Sequence, residues 1–408
     1  MSQMPTETAP DSTIPFRADP YRFISKRCAA HGSDAFEGRL LLEKTIFLHG
    51  PEAAELFYDQ SRFRRADAFP SRIKKLMFGL GGVQGLDGAA HVHRKAMHLS
   101  IMTENNMDRL EPLLAARLRA RVPVWREAGE VALHSELLQV AAEAAAEWAG
   151  VPPEADMNLR RRQMQAMFEH AGSVGPVYMR ARLQRRRADA WAHDLIARTR
   201  AGEIAPRQGS ALDVIAGWHD PEGQPLPADV AGVELLNVLR PTTAVGVFLV
   251  FVVHALATDG VHPRTDEEVR RFVLEIRRHY PFFPAVGART TREFEWKGLP
   301  FPEGRLVLLD IWGTNRDPRT WSAPDDFRPE RFAHRKPGPF EMIPQGGGDH
   351  PHNHRCSGEW ITERMMAVTT RFFVEELEWD APEQDLSLAY GELPARPRDD
   401  MRISLHPA

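Results

Sequence analysis

The stretch Ile343–Trp360 reads IPQGGGDHPHNHRCSGEW and concentrates more chemically capable side chains than any other part of the chain. Gly346–Gly348 let backbone approach a flat or bulky group closely. Cys356 follows, then Ser357, Gly358 and a helix-like run from Glu359 to Glu376. Where a loop enters a helix, free N–H groups and the helix dipole favour a thiolate. Such a thiolate suits a metal. The rival reading is a zinc site drawn from Asp349, His350, His352, His354 and Cys356. Structural zinc, however, usually takes paired cysteines or a helix-spaced histidine pair. A plain loop with a satisfied cysteine is the third alternative. Cys28 has no partner motif and is assigned no function.

Arg240 is the second candidate. It stands in LLNVLRPTTAVGVFLVF, where its neighbours are almost all apolar. Burying an unpaired guanidinium costs several kcal/mol, on the order of the penalty for any isolated buried charge, so it needs an anion. No acid lies within a turn towards the C-terminus, and Glu234 is six residues back. Either a carboxylate arrives from elsewhere in the fold, or a substrate carboxylate is held by the guanidinium fork. Pro241 removes a backbone N–H and is expected to kink the helix, opening space beside the arginine.

The elements that must position these residues are mostly helical. Leu133–Ala149, Arg160–His170, Ala181–Arg200 and Val230–Asp259 read as helices, the last as a buried core helix. Its densest part, Ala244–Ala257, is shorter than the roughly 20 residues needed to cross a bilayer. Arg39–Leu42, Thr45–Leu48, Glu293–Trp296 and Arg305–Asp310 read as strands. Residues 1–15 are polar and proline-punctuated and are expected as a poorly ordered tail. The Arg160–Arg162 and Arg185–Arg187 clusters are read as solvated helix faces, since no aromatic interleaving accompanies them. With 52 basic against 56 acidic residues the net charge is −4, which argues against a general nucleic-acid binder. Two cysteines in 408 residues exclude a disulfide framework. With no signal peptide or membrane anchor in sight, a cytoplasmic location is expected.

Three motifs then fall in a telling order. Glu275-Ile276-Arg277-Arg278 offers a carboxylate–guanidinium pair one turn apart. Pro329-Glu330-Arg331-Phe332 follows, and then the glycine loop with Cys356-Ser357-Gly358. In this order the chain resembles the cytochrome P-450 superfamily. The segments IPQGGGDH…HRCSGEW, LLNVLRP and VQGLDGAAHVHRK closely resemble its fatty-acid peroxygenase family, from about Pro15 to the end. Two departures from the wider superfamily stand out. Asp349, His352 and His354 occupy loop positions that ordinarily hold Phe, Gly and a basic residue. Leu239-Arg240-Pro241-Thr242-Thr243 replaces the acid–alcohol pair of monooxygenases.

The resemblance implies a mainly α, single-domain cytochrome P-450 fold over residues 16–408, with a small β portion and a buried haem. It implies haem b (iron protoporphyrin IX) with Cys356 as the axial iron ligand. Arg65, His91, Lys95 and Arg355 would hold the cofactor with Cys356. Glu275, Arg278 and Arg331 would form a buried ion network bracing its loop. Arg240, Gln84 and Pro241 are the implied catalytic residues, and Phe78 and Phe282 line the acyl pocket with Arg240. On residues alone, His91 and Lys95 would serve as well on a solvated face, and the two phenylalanines as core. The implied reaction is hydroxylation of long- or medium-chain fatty acids at the α and/or β carbon, driven by hydrogen peroxide. The substrate carboxylate on Arg240 would be the general acid–base, and no redox partner protein would be needed. The alternatives are a decarboxylase forming terminal alkenes, a reductase-dependent haem-thiolate monooxygenase, and a non-enzymatic haem protein binding lipid or gas. Hydroxylating members tend to carry Gln at position 84 and decarboxylases His, so Gln84 favours hydroxylation.

Overall fold

A single helix, Ala228–Thr258, runs through the middle of the molecule, and nearly every residue from Ala231 to Leu256 is buried. The computed structural model describes residues 3–405. An apolar surface on all sides requires neighbours on all sides. They are the helices Leu133–Trp148, Met157–Glu169, Gly175–Arg200 and Glu359–Arg371. The helix spans 31 residues and is long and apolar enough to cross a membrane, but 94% of its most apolar window is buried inside the protein. Burial, rather than the shortness expected of its apolar part, marks it as a core helix. It continues as helix through Pro241. The hydroxyls of Thr242 and Thr243 turn back to the carbonyls of Val238 and Leu239, at 2.8 and 2.9 Å.

The helix Asp266–His279 carries the Glu-x-x-Arg motif. A capping box between Thr265 and Glu268 starts it, with acids in its first turn and bases in its last, as the helix dipole favours.

Five strands form the main sheet, in the order Ala35–Leu40, Glu43–Leu48, Leu306–Asp310, Ala285–Thr290, Phe63–Arg64. Glu43–Leu48 and Leu306–Asp310 pair in parallel. Parallel neighbours need a crossover connection, and here that crossover is the helical body itself. The expected strand at Arg39–Leu42 proves to be the end of one strand and a turn, with Leu41 and Leu42 at φ 52° and 67°. The protein is mainly helical with a small sheet portion, in one domain.

Part of the expected N-terminal tail is held against this sheet. Glu37 N–H donates to the Pro5 carbonyl (2.7 Å), Glu7 N–H to Glu37 (2.8 Å) and Ser12 N–H to Arg39 (2.8 Å). The edge strand Ala35–Leu40 has unpaired backbone groups, and the segment satisfies them. Met1 and Ser2 lie outside the described residues.

Candidate haem-thiolate site

The cysteine loop doubles back on itself before the helix Glu359–Arg371 begins. Gly346, at φ +100°, passes so close to the loop's return that a Cβ would stand 3.1 Å from Arg355 Cα and from the Tyr58 hydroxyl. Gly347 lies as close to the Ile343, Tyr58 and Phe340 side chains, and Gly348 to that of Asn353. Cys356 N–H donates to the Gln345 carbonyl at 2.9 Å. Burial pushes the Cys356 thiol up, although the Gly358 N–H, Lys95 and Arg277 act to lower it. The Gly358 N–H and the charges of Lys95 and Arg277 are the local groups that would favour the thiolate form.

Two ion networks brace this loop. Glu275, fully buried, pairs with Arg278 at 2.7 Å and Arg331 at 3.1 Å, and accepts the Arg328 N–H at 2.7 Å. Arg278 reaches on to the carbonyls of Asn315, Pro324 and Asp326. The second network is absent from the sequence reading. Arg277 faces the other way, into Glu359 and Glu363, and donates to Gln345 at 3.2 Å. Glu359 also holds Arg355 at 2.6 Å and His350 at 3.0 Å. Arg355, expected at the cofactor, is therefore engaged by Glu359 and the Gly348 carbonyl. The histidines do not converge as zinc would need. His350 goes to Glu359 and stacks on Trp360, His352 goes to Asp349, and His354 to Asp87 and His91.

Beside Cys356 lies a cluster of buried basic side chains, with Asp87 at its edge. His91 and Lys95 lie one turn apart in the helix Gly88–Ile101, as expected, and both are buried. The His91 ring stacks on His354 with centroids 3.8 Å apart. Burial, then the charges of His354 and Lys95, lowers the His91 pKa to about 3. Burial lowers His354 to about 4 and Lys95 to about 8. Arg65 is buried over the Phe57 ring and donates to the Gly287 carbonyl at 3.0 Å. Arg65 Nη2 and His91 Nδ1 are buried without partners. A cavity of about 170 Å³ opens here, lined by Arg65, Asp87 and His354 among others. Depressed basic pKa values and orphaned nitrogens mark a site shaped for carboxylates, and haem propionates fit it. His354, two residues before Cys356, packs on His91 and faces Asp87. Lys95 also donates to the carbonyls of Asn353 (2.6 Å) and Arg355.

Arg240 is 5% exposed, and no carboxylate pairs with it among the described residues. Its Nη2 donates to the Asn237 amide oxygen at 3.3 Å, while Nε is buried with no partner. Burial, then the like charge of Arg185, lowers its pKa to about 9, which leaves it charged at neutral pH. The nearest acid on its helix, Glu234, is already taken. Arg94 binds it at 2.7 Å, His98 lies at 3.1 Å, and Asn237 Nδ2 donates to it at 3.1 Å. Asn237 and Glu234 were missed, yet Glu234, Asn237 and Arg240 recur every third residue and so share a helix face. Pro241 has no N–H to give the Asn237 carbonyl. Phe78 lies under the Arg240 guanidinium at 5.8 Å, and Phe282 stacks on Phe248 of the core helix at 4.5 Å. The Gln84 Oε1 is buried and unpartnered. A Cβ on Gly82 would stand 2.6 Å from Asn237 Nδ2, so the backbone there closes directly on this relay.

A cytochrome P-450 family model matches residues 269–395. The fold superposes on cytochrome P450SP alpha (CYP152B1) in complex with (R)-ibuprofen with a TM-score of 0.95. The two are 46% identical over 97% of this chain and 98% of that one. Cytochrome P450EX alpha (CYP152N1), solved with myristic acid, also gives 0.95, at 39% identity over 99% of each chain. A 2-hydroxyisoflavanone synthase of Glycine max is 38% identical over 121 residues, which are 27% of this chain and 22% of that one.

Proposed function

Because the chain belongs to the fatty-acid peroxygenase (CYP152) family of the cytochrome P-450 superfamily, we propose that it hydroxylates fatty acids with hydrogen peroxide. The observation that carries this reading is Arg240, buried, charged and without a carboxylate. The carboxylate of a fatty acid is the partner it lacks. Both molecules bound in the two similar structures, ibuprofen and myristic acid, are carboxylic acids.

The haem, as haem b, supplies a redox-active iron whose reaction with peroxide is assisted by the electron-rich thiolate. Cys356 would ligate its iron. Arg65, His91, Lys95 and Arg355 would hold the cofactor, with His354 beside them, while the Glu275 and Glu359 networks fix the loop. Arg240 grips the substrate carboxylate with its fork, steadied by Asn237. That carboxylate takes the proton from one peroxide oxygen and returns it to the other, which leaves as water. This is the task the missing acid–alcohol pair performs elsewhere, and Thr242 and Thr243 cannot take it up with their hydroxyls turned to the helix. In balance, a substrate C–H and hydrogen peroxide become C–OH and water, with no reductase and no nicotinamide cofactor. Anchoring at the carboxylate sets the α or β carbon over the iron. Gln84, with Pro241 clearing space beside Arg240, favours hydroxylation over loss of carbon dioxide.

The test is direct. Purified protein reconstituted with haem, given myristic acid and peroxide but no electron donor, should yield hydroxy acid by mass spectrometry. Product that appears only with a reductase and reduced nicotinamide would overturn the reading.

A further inference from the structure

The outward face of the helix Gly175–Arg200 carries an apolar stripe set between rows of arginine. Met179 and Leu183, one turn apart, are 65% and 49% exposed, and Val174 and Val177 at the start of the helix are exposed too. At about 100° per residue, Arg180 and Arg187 fall on one flank of this stripe and Arg182 and Arg186 on the other. Ala181, Arg185 and Ala188 face inward and are buried, so of the expected Arg185–Arg187 cluster only two members are solvated.

The neighbouring segment continues this character. Arg182 donates to the carbonyl of Lys75, Tyr178 to that of Arg72 at 3.0 Å, and Arg185 to those of Leu76 and Met77. Leu80, just beyond, is 62% exposed. No acid occurs between Glu169 and Asp189, or between Asp67 and Asp87. Among the described residues, Arg180, Arg186, Arg187, Arg72 and Lys75 form no ion pair, while Arg182 shares the charge of Asp189 with Arg185. Cations outnumber acids on this face, with Asp189 at its edge, although the whole chain is mildly acidic.

From this charge and shape we propose that the face docks reversibly on an anionic lipid bilayer. Met179, Leu183 and Leu80 would enter the headgroup boundary and the flanking arginines would meet lipid phosphates, as in helices that lie in a membrane interface. A nucleic-acid backbone would use the arginines but leave the protruding apolar side chains unrewarded. The docked segment is also the one that carries Phe78 beneath Arg240. The bilayer would then lie at the approach to the carboxylate site, where acyl chains already partition. Docking itself does not depend on the proposed chemistry.

Co-sedimentation of the holoprotein with phosphatidylcholine vesicles, with and without phosphatidylglycerol, tests this. The protein should pellet with the phosphatidylglycerol vesicles at low salt, release at high salt and ignore pure phosphatidylcholine. Each basic side chain near an anionic surface contributes about fivefold, so Arg180→Gln/Arg186→Gln/Arg187→Gln should weaken binding on the order of 100-fold. Met179→Ser/Leu183→Ser should weaken it on the order of tenfold while leaving the fatty-acid spectral titration in solution unchanged. Wild type that stays in the supernatant, or a triple variant that pellets like wild type, overturns the proposal. So does retention of duplex DNA in place of vesicles. A dimer that forms without lipid and is abolished by Met179→Ser/Leu183→Ser would assign the face to a second copy of the chain and overturn it likewise.

Discussion

Asn237 accepts a hydrogen bond from Arg240 at 3.3 Å while its amide nitrogen donates to Glu234 at 3.1 Å. A neutral carboxamide thus separates the guanidinium from Glu234, the nearest carboxylate on its helix. The arginine is aimed but not neutralised. Its charge remains free for a ligand.

Arg240→Ala should therefore damage fatty-acid affinity and peroxide-driven turnover together. Loss of a buried charge-assisted pair costs about 2–5 kcal/mol, so spectral titration should show binding weakened by tens to thousands of fold. Arg240→Lys should not restore activity, because a point charge lacks the two-pronged geometry. Acetate should let wild type, but not Arg240→Ala, oxidise styrene with peroxide. An alanine variant that binds and hydroxylates like wild type would place the substrate carboxylate elsewhere.

Cys356→Ala should abolish the red-shifted Soret band that thiolate-ligated haem gives in the reduced, carbon monoxide-bound state. An unaltered band would exclude this cysteine as the ligand.

Gln84 has a buried, unpartnered oxygen, so it can interact with whatever occupies that space. Gln84→His should raise terminal alkene relative to hydroxy acid in gas chromatography of the products. An unchanged ratio would remove position 84 from control of the outcome.

Glu359 gives the cysteine loop a pH dependence. Burial opposes its charge, but Arg277, His350 and Arg355 together hold its carboxyl far below the usual carboxylate range. With the folded pKa depressed, its contribution is complete above the unfolded pKa and is lost as pH falls below it. Glu359→Gln should cost about 2 kcal/mol at neutral pH. The gap in Tm from wild type, followed by circular dichroism, should narrow as the buffer is taken below about pH 4.5. A gap that stays constant down to acid pH would show that the charge of Glu359 is not what braces the loop.

What the sequence disclosed here depended on range. The core helix was legible because its apolar run is continuous, and the Glu275–Arg278 pair because both partners lie within one turn. Arg277 was not, since a residue next to Arg278 points about 100° away and its partners are 82 and 86 residues downstream. Arg355 and Glu359 are only four residues apart, but their pairing depends on how the loop enters the helix. The N-terminal segment looked unstructured because its pairing partner is an edge strand that no local pattern reveals. Leu41 and Leu42 looked like strand because their side chains are apolar, although their backbone is left-handed.

The contact between Gly82 and Asn237 bears on how such a protein can change over generations. Any side chain at Gly82 would have to displace the amide that steadies Arg240. Variation at that position is thus closed to gradual exploration. If Phe78 and Phe282 line the acyl chain as proposed, they offer an easier route to a new chain preference, because their neighbours are side chains able to repack. Laboratory selection for new chain lengths would be expected to enrich substitutions at those two positions and to return Gly82 intact.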